Sequence, residues 1–182
     1  MSVVPAESDT MIEFPANDSL LLSLGILYYE NQKYPSAVLV GQELLARNSK
    51  NPSALELTAS AYEGLNISEK ALQNYESLYL VSNSLSVLYK VSFLQYSLNR
   101  YQECLANTDI ILASKEADEV KVAFSTGDNK TKEYSIRIPI LNLKGMVARD
   151  SGDKVSAKKY FEQAIALAPD FQAAKDNLSK LK

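Results

Sequence analysis

The chain contains no histidine and no tryptophan, one cysteine, and only six glycines among its 182 residues. Without histidine there is no imidazole general base, no Ser-His or Cys-His nucleophile pair, and none of the commonest metal ligand. The glycines are scattered singly, so no loop of them can cradle a phosphate. Cys104 alone cannot form an internal disulfide, so redox compartment is not written in cysteine pairing. The acidic run Glu116, Asp118, Glu119 lacks the ligand spacing and central glycine of a calcium loop and reads as a solvated helix end. No apolar run approaches the roughly 20 residues of a membrane span. The opening MSVVPAES has neither the basic start nor the apolar core of a signal peptide. Location is therefore expected to be cytoplasmic by default, and periplasmic if the chain is a trimmed mature form. Charge of one sign is scarce too. Residues 1–17 hold Glu7, Asp9 and Glu13 with no Lys or Arg, which leaves 19 acidic against 19 basic residues in the remainder. With no cationic excess to neutralise a phosphate backbone, a nucleic-acid partner is not expected.

What the chain does have is globular composition, 46% apolar and 23% charged, arranged in a repeat. Of Leu21, Leu24-Gly25, Tyr28, Tyr34 and Ala37, the positions of Leu21, Gly25, Tyr28 and Ala37 return 34 residues on as Leu55, Ala59, Tyr62 and Ala71, and the second copy adds Tyr75. A last copy carries Leu141, Gly145, Ala157, Phe161, Ala164 and Pro169. Small residues let two helices approach closely, and the aromatics fill the space between one pair and the next. No pair can bury its apolar stripe alone, so about three or more must stack.

This pattern resembles the tetratricopeptide repeat, whose helix–turn–helix unit sets a bulky residue, Leu-Gly, Tyr, Ala, an aromatic, Ala and Pro at fixed offsets. The resemblance covers residues 18–182 and implies an all-α solenoid of about four helix pairs. The expected divisions are a flexible lead-in at 1–17, repeats at 18–51, 52–84, 85–118 and 138–171, and a capping helix at 172–182. Asn17 or Asp18 is expected to cap the first helix, Pro35 fits a first helical turn, and Ser68 is expected to cap the fourth helix. Turns are expected at Asn31–Lys33, Gly64–Asn66 and Ser151–Asp153. The third repeat is degenerate. Cys104 takes its small position, where a packing role outweighs a reactive thiol, and Gln95 and Thr108 stand where aromatics are usual.

Residues 119–137 switch period. Val120, Val122 and Phe124 alternate with Lys121 and Ala123, while Tyr134, Ile136 and Ile138 alternate with Ser135 and Arg137. The turn composition of Ser125–Lys130 between them predicts a β-hairpin inserted before the last repeat. An insertion of this kind is similar to those of bacterial tetratricopeptide proteins of the Bacteroidetes type.

Function is expected to be non-catalytic: a scaffold that binds a peptide or protein segment. The alternative is a helical module of a larger bacterial envelope or nutrient-uptake assembly. No cofactor and no metal are expected. The resemblance implies that the first helix of each pair lines a groove. Carried over, this gives Leu22, Ile26 and Tyr29 in repeat one and Glu56, Ser60 and Glu63 in repeat two. Repeat three gives Tyr89, Phe93 and Tyr96, and repeat four gives Asn142, Met146 and Arg149. The three aromatics of repeat three are expected to form an exposed binding cluster, with Arg149 as an anchor for a carboxylate; ordinary packing is the competing role for all of them. The Lys-Asn-Arg clamp by which some relatives grip an acidic C-terminus is missing, because Leu22 and Ile26 occupy its places.

Overall fold

The computed structural model describes residues 17–126 and 130–181. The lead-in before Asn17 and the hairpin tip at 127–129 lie outside them. Among the described residues, eight helices form four antiparallel pairs. These are α1 (Asp18–Glu30) with α2 (Tyr34–Arg47), α3 (Pro52–Gly64) with α4 (Ser68–Ser82), α5 (Leu85–Ser97) with α6 (Tyr101–Ala113), and α7 (Arg137–Asp150) with α8 (Lys154–Leu167). A ninth helix, α9 (Gln172–Ser179), packs on α7 and α8. Strands β1 (Lys121–Thr126) and β2 (Lys130–Ser135) stand between α6 and α7.

The same local device closes every pair. Residues Gln32, Asn66, Asn99 and Gly152 occupy one repeat position and all have left-handed backbone, with φ of 58°, 59°, 59° and 84°. Such a residue lets the chain turn back so that the last carbonyls of the first helix find donors. Thus Lys33, Ile67, Arg100 and Asp153 donate to the carbonyls of Tyr28, Tyr62, Gln95 and Ala148 at 2.8–2.9 Å. Asn17 caps α1, its Oδ1 accepting from the amides of Ser19 (2.9 Å) and Leu20 (3.2 Å). Ser68 does not cap α4. It is the first helical residue, and Ile67 holds the cap position without a side-chain bond.

The repeat signature is the core. Leu21, Ala37, Leu55, Ala59, Ala71, Tyr75, Ala157, Phe161 and Ala164 are all buried, and Tyr28 is half-buried. Where the second helix of pair one has Gly41, the third helix moves into the vacancy: a Cβ there would lie 3.2 Å from Thr58 Cβ. Pair four is built the other way round. A Cβ on Gly145 would lie 2.6 Å from Phe161 Cδ1, so the ring rests directly on the glycine.

In the hairpin, Val122 pairs with Tyr134 and Phe124 with Lys132. Both strands reach further toward the tip than composition indicated, taking in Ser125, Thr126 and Lys130. At the other end the pattern over-read the strand. Ile136 takes the cap position of α7, and Arg137 and Ile138 are already helical. One ladder bond survives beyond β2, from the Ile136 amide to the Val120 carbonyl at 2.9 Å. The inner face docks through aromatics. Phe124 and Tyr134 meet Phe171 edge-on, with ring centroids 5.1 and 5.0 Å apart. Lys132 pairs with Asp170 at the rim. Arg137 fastens the base, donating to Asp118 Oδ1 (2.9 Å) and to the free Leu112 carbonyl at the end of α6 (2.8 Å).

A two-stranded hairpin is marginal alone, so its order should depend on this docking. Amides in the arms should exchange slowly in the wild type. Phe124→Ala should speed them by about tenfold or more, equivalent to ~1.4 kcal/mol of local opening. Fast exchange throughout both arms of the wild type would contradict a docked hairpin.

Candidate binding groove

The first helices lie beside one another, α1 against α3 and α5 against α7, but these two contacts are built differently. Between α1 and α3 an open cleft of about 320 Å³ is lined by Leu22, Ile26, Tyr29, Ser53, Glu56, Leu57 and Ser60. Leu22 is half-buried, whereas Ile26 and Tyr29 remain 43% and 38% exposed. The structure therefore brings together all three groove residues expected in repeat one with Glu56 and Ser60 of repeat two.

A polar row runs along the edge of this cleft. The Tyr75 hydroxyl donates to Glu63 Oε2 at 2.6 Å, lies 3.0 Å from Ser60 Oγ, and accepts from Lys90 Nζ at 3.1 Å. Burial, reinforced by the neighbouring Glu63 carboxylate, holds this phenol protonated far above its usual range. Tyr29 is raised in the same direction by burial and by Tyr34 and Glu63. Lys90 also lies over the Tyr75 ring, 4.8 Å from its centroid, and 4.0 Å from Glu56.

Between α5 and α7 the groove is filled. Tyr89, Phe93 and Tyr96 are half-buried and pack against the cluster of Leu88, Ile140, Leu143 and Val147. Tyr89 and Phe93 sit 4.7 Å apart, and Tyr96 stacks on Tyr101 at 5.9 Å. The three rings expected as an exposed cluster are half-buried, and they tie α5 to its neighbours. Arg149 is engaged within the fold as well. Its Nε donates to Asp150 Oδ1 (2.7 Å), Nη2 to the Tyr96 hydroxyl (3.2 Å) and Nη1 to Asn177 Oδ1 (3.3 Å). A guanidinium engaged three ways is not a vacant carboxylate anchor. Asn142 is buried and accepts from Asn177 at 3.0 Å, while Met146 is half-buried within 3.5 Å of the Asn142 amide.

Two features escaped the sequence reading. Gln95, standing in for an aromatic, lines a cleft of about 320 Å³ between α4, α5 and α6, with Tyr79, Leu80, Leu88 and Val91 on its walls. Gln95 is buried there and satisfied, donating to Glu76 (3.2 Å) and accepting from Asn107 (2.8 Å). Lys144 is buried in α7. Burial opposes its charge, but its hydrogen bond to Asp109 and the Tyr160 ring 5.0 Å away more than compensate. Cys104 is buried and its thiol is pushed up to about 12 by desolvation, so it packs as a small apolar group. No cluster of potential metal ligands and no helix long and apolar enough to cross a membrane occur among the described residues.

This architecture is the tetratricopeptide-repeat fold, as comparison with solved structures shows. A crystal structure of MamA superposes with a TM-score of 0.72 at 12% identity, over 90% of this chain and 80% of that one. A tetratricopeptide repeat protein from Parabacteroides merdae gives 0.71 at 23% identity, over 92% of this chain and 58% of that longer one. PilW, a type IV pilus biogenesis factor, gives 0.65 at 23% identity, over 92% and 70%. No protein-family model and no curated relative matches the sequence.

The closed half of the groove carries a pH signature. Burial pushes Tyr89 to about 12, and burial with the Asp150 hydrogen bond pushes Tyr96 to about 12. An unfolded tyrosine titrates near 10. The folded state thus holds these protons longer, so the stability they confer is complete below about pH 10 and lost as pH rises through about 12. Tyr96→Phe should flatten the fall in melting midpoint across that window. An unchanged slope would show that Tyr96 is not held by this environment.

Proposed function

We propose that the chain is a non-catalytic scaffold that seats a peptide or protein segment along its first helices, anchored in the cleft between α1 and α3. The observation that carries this reading is the exposure of Ile26 and Tyr29 beside Leu22 in a concave, pre-formed site. Apolar side chains held open in a cleft are the usual anchor points of recognition. The α5–α7 half, with Tyr89, Phe93, Tyr96, Asn142, Met146 and Arg149, forms a stiff continuation against which the rest of the segment lies. Affinity of such a site is micromolar, about −8 kcal/mol.

A second reading, a helical module of a larger bacterial envelope or uptake assembly, draws on Leu20 and Leu27. These residues of the first helix are 60% and 54% exposed, as a face packed against a further domain would be. The pilus biogenesis factor among the similar structures is consistent with a role of that kind.

Panning a displayed library of random peptides on the wild-type protein tests the groove. Enriched peptides should bind Ile26→Ser at least about tenfold more weakly, a loss of ~1.4 kcal/mol, at an unchanged melting midpoint. Peptides that bind both proteins equally would place the binding surface elsewhere.

A further inference from the structure

We infer that the segment seated in the α1–α3 cleft is basic and apolar: an aliphatic side chain enters between Leu22, Ile26 and Leu57, and lysines or arginines on either side of it reach Glu56 and Glu63. This rests on the reading of that cleft as the seat.

The argument is one of charge complementarity on a surface whose floor is already apolar. Helices α1 and α3 contain four acidic residues, Asp18, Glu30, Glu56 and Glu63, and no lysine or arginine. Asp18 is taken up by Arg47 at 2.8 Å. Glu56 lines the cleft, and its side chain keeps 61% of its accessible surface. Glu63 is exposed one helical turn beyond Ser60, and it orients the Tyr75 hydroxyl at 2.6 Å.

The cation at this edge of the cleft is already engaged by Tyr75. Lys90 comes from α5, donates to the Tyr75 hydroxyl at 3.1 Å and rests over that ring, so its 4.0 Å approach to Glu56 is only a loose pair. Exposed pairs of that kind are weak, so an incoming ammonium or guanidinium can share the carboxylate. An acidic segment meets the opposite situation, since neither helix wall carries a cation and its carboxylates would lie against Glu56 and Glu63 of α3. Tyr29, packed against Tyr34 with ring centroids 5.6 Å apart, adds an aromatic face on which a cationic stem can lie.

Three synthetic peptides with the same leucine and isoleucine positions, but Lys, Gln or Glu between them, are the probes. Their binding to the full chain is read by fluorescence anisotropy in low and high salt. The lysine peptide should bind about tenfold tighter than the glutamate peptide near 0.05 M salt, and the gap should shrink near 0.5 M, where screening is strong. Glu56→Gln should weaken the lysine peptide about threefold, the effect of one exposed ion pair, and leave the glutamine peptide unchanged. Ile26→Ser should weaken all three. Melting midpoints of both variants should match the wild type. Equal binding of the lysine and glutamate peptides, with both lost in Ile26→Ser, overturns the charge preference and leaves the cleft as the seat. A lysine preference indifferent to Ile26→Ser overturns the seat itself. Failure of the lysine peptide to bind overturns the inference.

Discussion

The close approach of paired helices at residues with little or no side chain is the constraint on which the rest depends. A small residue on one helix faces a large one on its partner, and the distance between axes follows from that pair. Gly145 under Phe161 is the extreme case, and Ala59 and Tyr75, buried in one cluster, hold the matching repeat positions in pair two. At Gly41 the large partner is absent, so Thr58 of the next pair closes the gap. Each solution sets how far the next pair is displaced, and displacement decides whether the first helices leave a cleft or fill it. Interiors pack near crystal density, so such choices cannot be absorbed by loose contacts.

The two halves of the groove follow from that. Around α1 and α3 the aliphatic and tyrosine side chains stand apart, with acidic groups at the margin. Around α5 and α7 the rings interlock, and the Tyr96–Asp150–Arg149 network bolts one helix to the next, with Asn177 of α9 joined to it. For the proposed role, a pre-formed cleft beside a tied-down neighbour has little freedom to lose on binding. The insertion lies away from the cleft: its aromatics rest on Phe171 ahead of α9, and Arg137 ties the start of α7 to the end of α6.

The parts of this structure that depend on neighbours in sequence were legible beforehand. Helix positions follow from the 34-residue step, and the turns at Asn66 and Gly152 announce themselves by residue type, whereas the left-handed Gln32 is marked only by its neighbour Asn31. The alternation at Val122 and Phe124 marks a strand because side chains there point to opposite faces. Ile136 and Ile138 continue that alternation yet belong to the start of α7, since two residues cannot distinguish a strand end from a helix start. The site was harder to read. Spacing placed Leu22, Ile26 and Tyr29 on one face, and they share a cleft. It placed Tyr96 and Arg149 on the groove too, but could not show that residues 53 positions apart would satisfy each other. Burial of Lys144 was invisible for the same reason, because its partner Asp109 lies 35 positions away.

The central claim is that these close contacts, and not helix propensity, set the packing. Gly145→Ala tests it most directly. In an ordinary helix interior that change stabilises by roughly 0.5–1 kcal/mol, because alanine loses less backbone freedom on folding. Here the added methyl meets the Phe161 ring, which is fully buried and has nowhere to go. Overpacking of this kind costs about 1–3 kcal/mol, so the melting midpoint should fall by several degrees at roughly 2–4 °C per kcal/mol. Pairing the change with Phe161→Leu should recover part of the loss. A melting midpoint that rises in Gly145→Ala would contradict the account.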